Sequence, residues 1–122
     1  MKRVAVVGAS NDRTKFGNKA VRAYRMQGYE VLPVNPREES IEGLRCYPDV
    51  CKIEGDLDLV SVYVRPEILD GLLDGIAAKG NPELWLNPGS ESEQVLSKAE
   101  DLGLRTIQAC SIVGLGLSPN VL

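Results

Sequence analysis

The sequence predicts an α/β fold: a single doubly wound domain over residues 1–122, with a mostly parallel sheet of five or six strands. Strand-like apolar runs alternate with segments of helical period, which is typical of a parallel sheet covered by helices. The first run, Val4–Val7, passes directly into a turn at Gly8 before a helical pattern begins. A length of 122 residues fits one hydrophobic core.

The first half of the chain supplies the entry unit of a Rossmann-like domain. After the first strand and its glycine turn, helical spacing extends from Gly17 to Gly28, where glycine is a helix stop signal. Glu30–Val34 is the second predicted strand. The mixed pattern that follows predicts a short strand over 44–47 and a helical turn near 49–53.

The second half repeats the alternation of strand and helix. Residues 57–64 predict a strand buried on both faces, and Pro66 suits the first turn of a helix that runs to Gly80. Its apolar stripe at helical spacing comprises Ile68, Leu69, Leu72, Leu73, Ile76 and Ala77. A strand over 83–86, a helix capped by Ser90 or Ser92, a strand over 104–109 and an ordered loop over 110–117 complete the prediction.

Composition excludes several classes of function. The net charge is −3 and no stripe of Lys and Arg is present, so neither nucleic acid nor a membrane surface is an expected partner. The three cysteines lack CxxC spacing, which predicts no metal site and a reduced, cytoplasmic protein. The absence of histidine excludes Ser-His-Asp and Cys-His catalysis. The composition neither predicts nor excludes a homo-oligomer.

Five predicted strands end in turns built from Gly, Pro, Asn or Ser. Ligands of doubly wound sheets bind outside the carboxyl ends of the strands, so these turns predict one continuous cleft. Each turn taken alone is better explained as an ordinary connection that needs these residues for its backbone geometry, whereas the five together favour a ligand cleft. The five turns are Gly8-Ala9-Ser10, Val34-Asn35-Pro36, Val64-Arg65-Pro66, Asn87-Pro88-Gly89-Ser90 and Ala109-Cys110-Ser111.

The first two turns favour a nucleotide other than NAD. After Gly8 the chain has no further glycine until Gly17, which departs from the G-x-G-x-x-G pattern. The second strand ends in Asn35 with Arg37 close by, where NAD-binding domains place an acidic residue for the ribose diol. An amide beside a cation favours a ligand that carries an additional phosphate.

These turns also carry a family resemblance over nearly the whole chain. Their sequences resemble the small stand-alone CoA-binding domain proteins, which are similar to the N-terminal domain of the succinyl-CoA synthetase alpha subunit. The segments that carry the resemblance are Val-Val-Gly-Ala-Ser at 6–10, Gly-Tyr-Glu-Val-Leu-Pro-Val-Asn-Pro at 28–36, Leu-Asp-Leu-Val-Ser-Val-Tyr-Val-Arg-Pro at 57–66, Leu-Trp-Leu-Asn-Pro-Gly-Ser at 84–90 and Gly-Leu-Arg-Thr-Ile-Gln-Ala-Cys-Ser at 103–111.

The resemblance implies coenzyme A or an acyl-CoA as the ligand, and it divides the cleft into regions. The pyrophosphate region is implied for Gly8, Ala9, Ser10, Lys15, Phe16 and Gly17. The adenosine phosphate region is implied for Val34, Asn35, Pro36 and Arg37, the nucleotide side for Val64, Arg65 and Pro66, and the pantetheine arm for Asn87, Pro88 and Gly89.

Two departures from these relatives bear on function. The synthetase's phosphorylated histidine belongs to a second domain, and this chain has no histidine, so ligase activity is not implied. Many relatives have Cys-Pro after the last strand, where this chain has Cys110-Ser111. Cys110 beside the cleft suits either an inert packed thiol or a mixed disulfide with CoA.

Three hypotheses for the function follow. The first is a non-catalytic CoA-binding protein that acts as a carrier, sensor or accessory protein, with no catalytic residues. The second is a small NAD(P)-binding oxidoreductase or a redox-sensing nucleotide-binding module. The third is a subunit that completes an acyl-CoA synthetase together with separate chains.

Overall fold

A computed structural model describes residues 1–122 and contains seven strands and five α-helices. The strands are β1 (Arg3–Val7), β2 (Glu30–Val34), β3 (Ser40–Ile41), β4 (Leu44–Arg45), β5 (Leu59–Val62), β6 (Glu83–Leu86) and β7 (Thr106–Gln108). The helices are α1 (Phe16–Met26), α2 (Pro66–Asp70), α3 (Leu73–Ala77), α4 (Glu93–Asp101) and α5 (Ser111–Gly114), with 3-10 turns at Val50–Lys52 and Pro119–Val121.

Five strands form a parallel sheet in the order β2-β1-β5-β6-β7, which confirms the predicted α/β Rossmann-like fold. The chain passes from β1 to β2 on one side and then returns to place β5 on the other side of β1. The strand order therefore reverses between β1 and β5. A crevice at the carboxyl ends of these two strands is where such folds bind ligands.

Apolar side chains of successive strand residues pack on opposite faces of the sheet. In β1, Val4 and Val6 join the core beneath α1 and α5, whereas Ala5 and Val7 join the core beneath α2, α3 and α4. This period of two in a wholly apolar strand is possible because helices cover both faces. The parallel register of the strands then sets the positions of their ends relative to one another.

The helix predicted from Pro66 to Gly80 is divided into α2 and α3. Gly71 ends α2, and the N–H of Leu72 donates to the carbonyl of Leu69 at 2.8 Å, a tighter turn than an α-helix makes. Both parts still bury their apolar residues against the sheet. Ile68 differs from the predicted stripe because its side chain is 49 % exposed.

Two other segments differ from the predictions. The strand expected over 44–47 is shorter, and it pairs antiparallel with β3 through a hairpin whose turn residues Glu42 and Gly43 have positive φ angles. The tail expected as a loop contains α5, whose Ile112 is fully buried against α1 and the sheet. No helix in the structure is both long enough and apolar enough to cross a membrane.

Candidate functional site

The largest cleft of the molecule, about 540 Å³, lies over the carboxyl ends of β1, β5 and β6. It is open to solvent along one side. Its lining comprises Gly8, Ala9, Ser10, Lys15, Phe16, Gly17, Asn35, Tyr63, Val64, Arg65, Ile68, Pro88, Gly89 and Ser90. The turns after β1, β2, β5 and β6 therefore meet in one cleft at the point where the strand order reverses.

The start of α1 lies against the turn that follows β1. A Cβ atom at Gly17 would overlap the carbonyl oxygen of Gly8 and lie 3.4 Å from Cα of Ala9. Gly17 therefore allows the close helix–strand packing that the last glycine of G-x-G-x-x-G provides in dinucleotide-binding domains. Gly8 itself has a φ of +88°, and a Cβ atom there would lie only 3.0 Å from the backbone carbonyl carbon of Tyr63, so it too admits no larger side chain without strain.

The N–H groups of Gly8 and Ala9 are not available to a ligand. Both donate to the carbonyl of Val34, at 3.1 and 3.3 Å. The N–H groups of Ser10, Phe16 and Gly17 donate to no protein acceptor. The backbone N–H groups that are free to bind a ligand therefore begin at Ser10 and continue at the start of α1.

Side-chain amides hold this loop in place. Asn35 Nδ2 donates to the carbonyl of Ala9 at 2.8 Å, and its Oδ1 accepts the N–H of Arg37. Asn18, fully buried on α1, donates to the carbonyl of Ser10 at 2.9 Å. Asn35 lines the cleft, but both polar atoms of its side chain hydrogen-bond to the protein backbone. The amide therefore holds the loop against the end of β2, whereas the sequence suggested that it contacts a phosphate.

The charges that line the cleft are of one sign. Lys15 and Arg65 are its only ionisable residues apart from Tyr63, and no carboxylate lines it. Burial raises the pKa of the Tyr63 hydroxyl above its ordinary value, which keeps that group protonated. No three Cys, Asp or Glu side chains are grouped in a way that could hold a metal ion. The cleft is therefore suited to an anionic ligand.

A buried polar network lies beneath the cleft at the ends of β5 and β6. Asn87 Nδ2 donates to Ser61 Oγ at 2.9 Å and to the carbonyl of Val62 at 3.0 Å, and Asn87 Oδ1 accepts the N–H of Ser111 at 2.8 Å. The hydroxyls of Ser61 and Ser111 lie 2.8 Å apart. A proline at position 111 would have no N–H to donate, so the Cys110-Ser111 pair gives this chain a contact that Cys-Pro cannot make.

Asn87→Ala is expected to destabilise the fold by about 2 kcal/mol, because the N–H of Ser111 and the carbonyl of Val62 would remain buried without these partners. Asn120, exposed in the tail, provides the control: Asn120→Ala should change stability by less than about 0.5 kcal/mol. Urea denaturation followed by circular dichroism measures both. Equal, small effects would show that the network contributes little.

Eleven of the seventeen predicted site residues line this cleft, and six lie outside it. Val34 is buried, and Pro36 and Arg37 line a separate depression with Glu38, Glu39 and Arg45. Pro66 lines another depression beside α4. Asn87 and Cys110 line a smaller cavity next to the cleft. Asn35 bonds the first loop at Ala9, whereas the next two residues, Pro36 and Arg37, line the separate depression.

Two residues of the cleft, Tyr63 and Ile68, are absent from the sequence prediction, and Ser90 is named there only as part of its turn and as a helix cap. Tyr63 and Ser90 adjoin predicted residues, and strand-end position alone could have identified them. Ile68 looked like a core residue because of its helical spacing. Its exposure beside Arg65 gives the cleft an apolar wall, which periodicity could not show.

A family model, a bacterial protein and a solved structure each match most of this chain. A family model described as "CoA binding domain" matches residues 2–115. The Bacillus subtilis (strain 168) protein YneT is 30% identical over 106 residues, which cover 87% of this chain and 78% of that protein. A conserved hypothetical protein from Pyrococcus furiosus has a solved structure with a TM-score of 0.85 and 33% identity, covering 93% of this chain and 99% of the other.

A longer relative is the alpha subunit of acetate–CoA ligase (ADP-forming) II from Pyrococcus furiosus. It is 37% identical over 78 residues, which are 63% of this chain but only 17% of that subunit. The chain thus spans about a sixth of the ligase subunit that it matches.

Proposed function

The chain belongs to the CoA binding domain family, and on that premise we propose that its cleft binds coenzyme A or an acyl-CoA. The protein acts as a carrier, sensor or accessory protein of the cytoplasm, without a catalytic site of its own. CoA is then a ligand whose nucleotide end occupies the cleft over β1 and β5.

The observation that carries the proposal is the set of anion-binding groups at one end of the cleft. The free N–H groups of Phe16 and Gly17 begin the eleven-residue helix α1, whose dipole favours negative charge there. Lys15 and Arg65 add two cations to a lining that contains no carboxylate, and the nearest acidic contact of Arg65 is the exposed Glu67, 3.9 Å from Nε to Oε2. Pyrophosphate fits this arrangement.

The role without catalysis is supported by the chemistry of the lining. The cleft offers no imidazole and no carboxylate that could take a proton from a bound ligand. Its tyrosine stays protonated because burial raises the pKa. What these groups can do is bind, orient and shield a ligand.

Isothermal titration calorimetry with CoA, NAD⁺ and NADP⁺ tests the proposal. CoA should bind at least tenfold more tightly than either nicotinamide nucleotide. A preference for NAD⁺ or NADP⁺ would favour the nucleotide-binding oxidoreductase or redox sensor instead. No binding of CoA to protein freed of bound nucleotide would refute the proposed function.

Arg37 provides a prediction about the adenosine end. It lies outside the cleft, beyond Asn35, so we expect it to contact only the 3′-phosphate of CoA, which dephospho-CoA lacks. Arg37→Glu should weaken the binding of CoA roughly tenfold, by about 1.4 kcal/mol, and leave the affinity for dephospho-CoA nearly unchanged.

Lys52→Glu is the matched control for Arg37→Glu, because Lys52 is exposed on a 3-10 turn that lines none of these depressions. Lys52→Glu makes the same change in net charge and should lower the affinities for CoA and dephospho-CoA slightly and by equal factors. Equal losses of CoA and dephospho-CoA affinity in Arg37→Glu would place the 3′-phosphate elsewhere.

A further inference from the structure

A second cavity of about 250 Å³ adjoins the cleft, and we refer to it as the apolar chamber. Phe16, Tyr63 and Pro88 line both, so the two spaces share a wall and are contiguous. The chamber lining is almost wholly apolar, unlike that of the cleft. Its six residues are Phe16, Tyr63, Asn87, Pro88, Cys110 and Pro119.

We propose that the apolar chamber holds the acyl chain of an acyl-CoA, so that the protein prefers a short-chain thioester to free CoA. The inference rests on the proposed function. With the phosphates at Lys15 and the start of α1, the pantetheine arm extends along Pro88 and brings the sulfur to the chamber. An occupant without charge or hydrogen-bonding groups is what such a lining accepts.

The polar side-chain atoms of Asn87 and Tyr63, two residues of the chamber wall, are hydrogen-bonded or buried. Asn87 uses Nδ2 and Oδ1 within the buried network, so it offers no free hydrogen-bonding group. The hydroxyl oxygen of Tyr63 is buried, which leaves its ring as the surface that faces the chamber. Cys110 contributes a thiol, which packs as a small apolar group.

The size of the chamber limits the chain that it can hold. Its volume is about eight times the roughly 30 Å³ that one water molecule occupies in the liquid, which suits an acyl chain of a few carbons. The tail forms one wall: Lys19 Nζ donates to the carbonyl of Pro119 at 3.0 Å and lies 5.5 Å from the centre of the Phe16 ring. A long chain would have to displace this wall.

Titration of the protein with CoA and with acetyl-, butyryl-, hexanoyl- and dodecanoyl-CoA tests the inference. Affinity should rise roughly fourfold for each methylene buried, which is about fifteenfold from acetyl to butyryl, and should stop rising by dodecanoyl. Equal affinities for CoA and butyryl-CoA would overturn the inference and leave the proposed function intact. Binding of neither would refute the proposed function itself.

Filling the chamber gives an independent test. In Cys110→Leu the larger side chain should occupy the acyl position, so the ratio of CoA to butyryl-CoA dissociation constants should fall to about one. Cys51→Leu is the matched control, because Cys51 is exposed and outside both cavities, and it should keep the ratio of the unmodified chain. An unchanged ratio in Cys110→Leu would overturn the inference.

Alkylation of Cys110 keeps the inference testable if Cys110→Leu does not fold. In the Cys51→Ser variant the other thiol, Cys46, is buried and its pKa is raised by that burial, so maleimide should modify Cys110 first. Saturating butyryl-CoA should slow this modification at least tenfold relative to saturating desulfo-CoA, a CoA analogue that has no thiol to consume the maleimide. Equal rates with the two ligands would count against an acyl chain in the chamber.

Discussion

Gly17→Ala is expected to destabilise the protein by about 3 kcal/mol and to abolish CoA binding. The added Cβ would overlap the carbonyl oxygen of Gly8 and crowd its carbonyl carbon at 3.2 Å. Neither atom can move freely, because Gly8 is bonded to β2 and lies against Tyr63. The start of α1 would have to withdraw from the sheet, and the anion-binding N–H groups would move with it.

Gly71→Ala is the control for this substitution. Gly71 has a φ of −74°, and a Cβ there would meet only the carbonyl oxygen of Ile68, at an ordinary 3.7 Å. The Gly71→Ala protein should be as stable as the unmodified protein or slightly more stable, because alanine reduces the conformational entropy of the unfolded chain. Urea denaturation and calorimetric titration with CoA distinguish the variants. A Gly17→Ala protein of normal stability would show that α1 adjusts without loss.

The double variant Lys15→Gln/Arg65→Gln is expected to bind CoA at least about a hundredfold more weakly, with its stability unchanged. A hydrogen bond to a charged group contributes about 1.5–3 kcal/mol, so the loss of two corresponds to about 3 kcal/mol or more. Both side chains are at the surface of the cleft, and Arg65 makes only a 3.9 Å contact with the exposed Glu67. Their removal should therefore cost affinity without disturbing the fold.

Lys2→Gln/Arg105→Gln matches this variant in charge. Lys2 and Arg105 directly precede β1 and β7, at the amino ends of the strands and therefore at the end of the sheet opposite the cleft. Calorimetric titration at two salt concentrations should show a large loss of affinity and a weaker salt dependence for the cleft variant only. Similar losses in both variants would mean that net charge, and not these two side chains, attracts CoA.

The sequence predicts the fold well because the signals of a doubly wound sheet are local. The apolar run of β1, the stop at Gly28 and the proline at the start of α2 each act within a few residues. The division of the predicted 66–80 helix is less visible, since Gly71 is tolerated in many helices. Here it ends α2, which packs against α4, whereas α3 packs against the 3-10 turn at Val50–Lys52.

The candidate site is predictable as a set of strand ends but not in its chemistry. The carbonyl of Val34 takes the N–H groups of Gly8 and Ala9, and Asn35 bonds to Ala9 across 26 positions of the chain. Such pairings depend on strand order, which no local pattern specifies. The same holds for Gly17, whose close approach to Gly8 is visible only once α1 is packed on β1.

Trp85 gives the molecule its own optical probe. It is the only tryptophan of the chain, and its Nε1 donates to Glu83 Oε1 at 2.7 Å. The six-membered ring lies against Gly114 of α5, the helix that follows Cys110 directly. Its emission wavelength and intensity therefore depend on how α5 is seated, so a ligand that reseats α5 when it enters the apolar chamber would shift the fluorescence of the unlabelled protein.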